Sequence, residues 1–460
     1  MSNKTSNQAI QDYMKKHQFP DHSIPFKMLN EGHSYDDVWV WLKEKAQFLK
    51  NNAPKDLPLH KHKPDMTVFG GSLIEPSAIA DMNAMLSLET VVGGALMPDA
   101  HRTRENGMPV GGVIASKHPV PEWASADLAC SVYFSSPESF EDVAHDVVVD
   151  AILNNTFFGH SQQPDLEAYK TYGLDLALDE LSTELVTKEG IATYNAFKQL
   201  VPTQFGTSGD GNHFVEYGYY TRRLGDDQPS PALLSHFGSR GIGAVIAKHF
   251  EEVARKQFKM PKGITAAPLM DKQLINDYMA MMAFARKFAR HSHAYVHKRL
   301  WEAISPNVSA DTRHTIVYSV HNFASEIVDS EGNTLYIHRK GATELVSGQR
   351  GVIPATMAEG AYIVDHIPSA SMDYSYNSAS HGAGRVMSRR QAIEKFGSLD
   401  VHQHIKDKHN IYLIGGGVDE LPAVYKSAKE VLSHQPYIRI VGKFTPTIVR
   451  MAEPNTYKRK

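Results

Sequence analysis

The chain has 460 residues, with 48 basic against 51 acidic side chains and a formal charge of −3, a composition that excludes collagen-like, low-complexity and disulfide-scaffold proteins. No run of about 18 apolar residues is present to span a bilayer. Because the charges nearly cancel, any nucleic-acid surface has to be local.

Length permits one large domain or two or three ordinary ones. Met1 to Phe19 is polar, without an apolar core or a small-residue cleavage site, so no secretory signal is expected. The only cysteine, Cys130, rules out an internal disulfide framework and fits a reducing, cytoplasmic setting.

In chain order, residues 36–51 place Val38, Trp39, Leu42 and Phe48 among charged residues at the spacing of an amphipathic helix. Val110–Ser116 and Val132–Phe134 read as short strands, and a helix is expected near 141–154. Asp271–Ile304 contains neither Gly nor Pro and is rich in Met, Ala, Lys and Arg, which predicts one long helix or two joined ones. Thr315–Val320 and Tyr412–Ile414 read as strands, and the basic residues Tyr457–Lys460 as a frayed tail. There is no internal repeat or long linker. The expected class is α+β: a single compact body with a helical insertion near 240–310, preceded by a helical segment over residues 1–60.

Any one of the 24 histidines is by default a surface or satisfied core residue, so only clusters carry meaning. Six glycine-dense polar segments stand out, five with a histidine. They lie at Met97–His101 with Gly107–Gly112, Asp127–Cys130, Gly206–Phe214, His236–Gly241, His321–Asn322 with His338–Thr343, and Ser380–Arg385. Glycine lets backbone approach a ligand closely. A lone cysteine is ordinarily a small buried hydrophobe. Together with Asp127, His213, His236 and His321, however, Cys130 would form a mixed donor set that suits Mn²⁺, Zn²⁺, Co²⁺ or Fe²⁺ better than Mg²⁺ or Ca²⁺. Arg240, Arg339, Lys340, Arg385, Arg389 and Arg390 stand beside these glycines. They would suit phosphate oxygens, the alternative being solvated surface charges.

Gly238–Gly243 followed by Ala244–Lys248 imitates the glycine turn of a dinucleotide-binding fold, and Tyr194 with Lys198 imitates a Tyr-x-x-x-Lys pair. The order is wrong, because the turn lies mid-chain with the pair before it, and there is no P-loop.

Taken together, the glycine-dense segments resemble the RtcB family of RNA ligases from about Met97 onward. The most specific pieces are Ser380–Arg389, His338–Thr343, Gly211–Phe214 and Asp127-x-x-Cys130. The resemblance implies one large domain over 61–460, with mixed sheets around a central metal and nucleotide cleft. It implies two manganese ions bridged by Cys130, one completed by Asp127 and His213, the other by His236 and His321. It implies that His381, oriented by Asp99, attacks the α-phosphate of GTP. Asn212, Phe214, Glu216, Asn322, Gly384 and Tyr425 would hold the guanylate, joined by Thr356, Gly382, Ala383 and Arg450 as nucleotide contacts. Arg240, Lys340 and Arg389, with Arg385, would hold RNA phosphate. The implied activity is GTP- and Mn²⁺-dependent joining of RNA 3′-phosphate or 2′,3′-cyclic phosphate ends to 5′-hydroxyl ends, in RNA repair or tRNA splicing. RNA and GTP are the implied partners, with no membrane; an activating protein is left open. Three departures bear on this. Ala361 stands where the family has a serine that contacts guanine, Arg450 lies about where it has a base-contacting lysine, and Phe237 replaces a small residue beside His236. They leave two alternatives: a metal-dependent RNA-end phosphoesterase without nucleotidyl transfer, and a non-catalytic RNA-end binder.

Overall fold

Helical spacing of Ile10 with Met14, and of Val38, Leu42 and Ala46, puts apolar residues on single helix faces, and these faces close over Phe19. The helices are Asn3–Lys16, Ile24–Asn30 and Tyr35–Asn51, the last being the helix expected over 36–51. A computed structural model describes residues 3–51, 53–138, 140, 143–159, 166–222, 228–305, 313–368 and 373–454; the expected tail Tyr457–Lys460 lies outside the described residues. Two compact units result. One is Met1–Leu57 with Lys256–Met260, the other Pro58–Arg255 with Pro261–Lys460. In the first, Lys55–Asp56 pairs in parallel with Phe258–Lys259.

The second unit carries an eight-stranded sheet. Its main path runs Arg350–Pro354, Ala361–His366, Ile438–Met451, Phe214–Thr221, Ser230–Phe237, Ser131–Pro137 and His314–Val320, every neighbour antiparallel. Tyr412–Ile414 adds in parallel to Ile438–Met451. A five-stranded sheet runs Asn322–Val328, Thr334–Lys340, Val110–Ser116, Val91–His101 and Met66–Val68. The strands expected at Val110–Ser116, Val132–Phe134, Thr315–Val320 and Tyr412–Ile414 are all present.

Side chains alternate across a strand, and this decides what each face of the large sheet buries. Leu233 and Phe237 face a core shared with Val296, Leu300, Trp301 and Ile304, while Val132, Phe134, Ala232 and Leu234 face the opposite core. The helix expected near 141–154 is His145–Asn155, and it supplies Val148, Ala151 and Ile152 to the first core. The glycine- and proline-free stretch is one helix, Lys272–Ile304, capped by Asp271, whose carboxylate accepts from Gln273 N and Leu274 N at 2.9 Å. The helical region expected near 240–310 consists of two separate helices, Gly241–Lys256 and Lys272–Ile304, between the strands Ser230–Phe237 and His314–Val320, and the second packs into the core. The strand–glycine turn–helix at 230–256 does form, but its strand has antiparallel neighbours on both sides, unlike a dinucleotide-binding sheet. No helix among the described residues is long and apolar enough to cross a membrane.

Arg339, read from sequence as a phosphate ligand, is a buried clamp. Its guanidinium donates to Ser378 Oγ (2.9 Å), Ser325 Oγ (2.8 Å) and Tyr376 O (2.9 Å) and lies 3.2 Å from Glu344. It thus ties the five-stranded sheet to the segment entering Ser378–Ser380, which pairs with Ala342–Glu344. Removing one partner from a buried polar cluster strands the rest, at about 3–5 kcal/mol. Arg339→Ala is accordingly expected to lower the unfolding free energy obtained from urea titration by about that much, with a lower midpoint, and an unchanged midpoint would refute the clamp.

Candidate active site

Asp127 and Cys130 lie in a tight turn in which Cys130 N donates to Asp127 O at 3.1 Å. A Cβ on Gly238 would stand 3.0 Å from both Asp127 Oδ1 and Cys130 Cα, so glycine lets the facing turn pass. His236 lies within Ser230–Phe237, opposite Phe214 and Val132. His321 follows His314–Val320 and donates its backbone N–H to Cys130 O at 3.0 Å. His213 is steered by Asp210 N, 3.1 Å from its Nδ1.

The structure brings these five residues together. Cys130 Sγ lies 3.5 Å from His213 Nε2 and 3.2 Å from His236 Nε2; His213 Nε2 is 3.3 Å from Asp127 Oδ2, and His236 Nε2 is 3.3 Å from His321 Nε2. Burial holds His236 down at about 3 and His321 well below the ordinary imidazole value, and it pushes the Cys130 thiol up. Burial also pushes the Asp127 carboxyl up, but the charge and hydrogen bond of His213 outweigh it and hold it at about 2. Imidazoles kept neutral at His236 and His321, an ionised carboxylate and a thiol pushed up by burial form a set that a divalent cation completes, since the cation would supply the charge that stabilises the thiolate. The donors fit a transition metal of intermediate softness.

Beside this cluster, His381 follows Ser378–Ser380, its ring centroid 5.0 Å from that of His321. Asp99 is fully buried, and its Oδ2 accepts from His381 Nδ1 (2.7 Å), His381 N (3.2 Å) and Gly382 N (3.3 Å). Gly384 has φ +74°, and a Cβ there would lie 2.0 Å from Asp99 O. Lys426 donates its backbone N–H to Gly384 O (2.9 Å) and its ammonium to Pro98 O (3.1 Å) and Ala100 O (2.7 Å), bracing both sides of Asp99.

A cavity of about 330 Å³ opens on His381, Cys130, His236 and His321. Its walls include Asn212, Phe214, Glu216, Asn322, Thr356, Gly382, Ala383, Gly384 and Tyr425, together with Lys340, Arg385 and Arg389. Glu216 is buried, and its Oε2 has no hydrogen-bond partner among the described residues; burial alone pushes its carboxyl up. Lys340 donates to Met108 O at 2.7 Å, and burial lowers its ammonium to about 8.

Two expected contacts lie elsewhere. Arg450 is turned away, donating to Ile152 O (2.9 Å) and Leu153 O (2.7 Å) at the end of His145–Asn155. Strand alternation is the reason, because its neighbour Met451 is the residue that lines the cavity. Arg240 also stands off the cavity wall; with φ +60° at the helix entrance, its Nε donates to Thr207 Oγ1 at 3.3 Å.

The sequence reading missed the acidic pair that holds the arginines. Asp419 and Glu420 lie 2.8 and 2.5 Å from Arg389, and Glu420 is 3.5 Å from Arg385 and hydrogen-bonded by Tyr425. The only signal was a short acidic run just before Tyr425. Lys426 was missed as well, although it adjoins Tyr425.

Fold and site define an α+β protein with a candidate metal centre beside a carboxylate-oriented histidine in a cavity. A family model described as "tRNA-splicing ligase RtcB" matches residues 81–451, and the chain belongs to the RtcB family. It is 25% identical to the tRNA-splicing ligase RtcB of Nanoarchaeum equitans, over 90% of this chain and 98% of that one. It is 27% identical to the RNA-splicing ligase RtcB of Escherichia coli K12, over 74% and 85% of the two chains. With the tRNA-splicing ligase RtcB of Archaeoglobus fulgidus it shares 29% identity, over 63% and 66%.

Titration of the full chain with CoCl₂ tests the donor set. Wild type is expected to develop a sulfur-to-cobalt charge-transfer absorption that Cys130→Ala lacks; the same absorption in the variant would exclude the thiolate as a ligand.

Proposed function

We propose that this chain is an RNA ligase that joins 3′-phosphate or 2′,3′-cyclic phosphate ends to 5′-hydroxyl ends, using GTP and manganese, through a guanylate carried on His381. The setting is RNA repair or tRNA splicing. One observation carries the reading. His381 has one ring nitrogen held by buried Asp99 at 2.7 Å, while the other, Nε2, has no protein hydrogen-bond partner among the described residues. Family membership and the names of the relatives support RNA as substrate.

With its Nδ1–H given to Asp99, neutral His381 keeps a lone pair on Nε2. That lone pair attacks the α-phosphorus of GTP; the P–N bond forms, the bond from that phosphorus to the β-phosphate oxygen breaks, and pyrophosphate leaves. Asp99 stabilises the positive charge on the ring without taking its proton. A 2′,3′-cyclic phosphate is first opened by water to a 3′-phosphate. An oxygen of the 3′-phosphate then attacks the phosphorus on His381, breaking the P–N bond. The 5′-hydroxyl finally attacks the activated 3′-phosphorus, losing its proton as GMP departs. Asp127, Cys130 and His213 would hold one divalent ion and His236 and His321 a second with Cys130 shared; such ions neutralise phosphoryl charge and activate a water or hydroxyl. Lys340, Arg385 and Arg389 are assigned to phosphate oxygens inside the cavity, and Arg240 to RNA phosphate beyond its wall. Asn212, Phe214, Glu216, Asn322, Thr356, Gly382, Ala383, Gly384 and Tyr425 are assigned to the nucleotide, and Arg450 is not.

A second reading, a phosphoesterase that opens cyclic phosphates without nucleotidyl transfer, is favoured by the turned-away Arg450 and by Ala361, a buried core residue without a hydroxyl at the position where the family has a serine. Incubation with α-³²P-GTP and Mn²⁺ separates the two. Covalent label is expected on wild type and absent from His381→Ala. Asp99→Asn, which removes the negative charge beside Nδ1, should slow labelling by on the order of 10²-fold or more. No label on wild type, with cyclic-phosphate opening that needs no GTP, would establish the second reading.

A further inference from the structure

Behind the cluster, on the sheet face covered by the long helix, lies a buried polar chain that the reaction does not use. His293, His297 and Trp301 are spaced by four on Lys272–Ile304, so they share one helix face. Ser135 and Ser235 alternate toward that face from two neighbouring strands. The links are Trp301 Nε1 to Ser135 Oγ (2.9 Å), Ser135 Oγ to His297 Nδ1 (2.7 Å), His297 Nε2 to Ser235 Oγ (2.8 Å), Ser235 Oγ to His293 Nδ1 (2.7 Å) and His293 Nε2 to Phe237 O (3.1 Å).

The ends of this chain fix its direction. An indole N–H can only donate and a carbonyl can only accept. A hydroxyl can accept twice, so the carbonyl end decides. With both rings neutral, His293 gives Nε2–H to Phe237 O and accepts at Nδ1 from Ser235 Oγ, which must then accept from His297. His297 therefore carries its proton on Nε2 and accepts at Nδ1 from Ser135 Oγ, which accepts from Trp301. Every group is satisfied once and both imidazoles are neutral, in keeping with burial, which holds His297 at about 3 and His293 well below the ordinary value.

The last link falls at the candidate metal centre. Phe237 follows His236, Ser131 follows Cys130, and Ser131 and Phe237 are paired across the two strands. His293 Nε2 also lies 3.2 Å from Ser131 Oγ, and its ring stacks 3.6 Å from that of Phe237, the residue that departs from the family's small one. The helix thus grips the rung from which Cys130 Sγ and His236 Nε2 approach to 3.2 Å.

We propose that this one-way relay is a positioning device for the metal centre, with His293 and His297 as positioning residues that set the spacing of Cys130 and His236. The proposal rests on the metal-centre reading of that cluster. Loss of such outer support typically costs about 10–100-fold in metal affinity.

Two measurements on the full-length protein test it. In metal-free wild type, side-chain ¹⁵N NMR is expected to show both His293 and His297 as Nε2–H tautomers; an Nδ1–H or doubly protonated ring at either position overturns the relay. In CoCl₂ titrations, Ser235→Ala, which deletes the central hydroxyl, should weaken cobalt binding by about 10–100-fold and alter the cobalt absorption spectrum. A merely structural hydroxyl would lower the melting temperature while the folded variant kept wild-type affinity and spectrum, and that result overturns the positioning role. If Ser235→Ala does not fold, Ser135→Ala cuts the relay one link farther from the ligands, with the same expectation and the same refutation. Wild type that shows both tautomers but takes up no cobalt refutes the metal centre itself, and the positioning role with it.

Discussion

The buried carboxylate of Asp99 is the interaction around which the cavity is organised. A carboxylate removed from water is costly unless its oxygens are satisfied; here Oδ2 gathers the imidazole N–H of His381 and the backbone N–H groups of His381 and Gly382, while Oδ1 has no hydrogen-bond partner among the described residues. The surroundings serve that contact. Gly384 exists as glycine because any side chain would strike Asp99 O, and Lys426 grips the carbonyls on either side of Asp99. Loop geometry, ring orientation and the free Nε2 therefore follow from one charge and the groups arranged to keep it.

Much of this was legible before any coordinates. Long periodic or uninterrupted stretches such as Tyr35–Asn51 and Lys272–Ile304 announce helices, because their pattern needs no tertiary partner to be recognised. The glycine-dense segments marked the cavity correctly, since backbone that must approach a ligand or another loop is written as glycine. Convergence of Asp127, Cys130, His213, His236 and His321 could not be read from spacing alone; it was an implication of resemblance that the geometry now supports by bringing the five side chains together.

What was illegible is equally physical. Arg339 looks like a phosphate ligand in the sequence and Arg450 like a nucleotide contact, yet one is a buried clamp and the other caps a helix end, because a guanidinium satisfies carbonyls and hydroxyls as readily as a ligand. The pairing of Asp419 and Glu420 with Arg385 and Arg389 depends on how a short turn lies against a helix entrance, which no local pattern encodes. The relay through Ser135 and Ser235 was hidden for the opposite reason: its hydroxyls and imidazoles occupy core positions where hydrophobic patterning anticipates apolar side chains.

Chain order adds a last consequence. Asp99 and His381 are 282 positions apart, and the strand Ile438–Met451, nearly the last described segment, lies between Phe214–Thr221 and Ala361–His366 in the large sheet. During synthesis those two flanking strands therefore wait with unpaired edges until Ile438–Met451 leaves the ribosome, and unpaired edges invite association with other chains. A chain interrupted before that strand would not be a smaller working protein but a sheet missing its middle. Such a product is a substrate for chaperones and proteases, and the cavity can exist only in chains translated past Met451, which lines it.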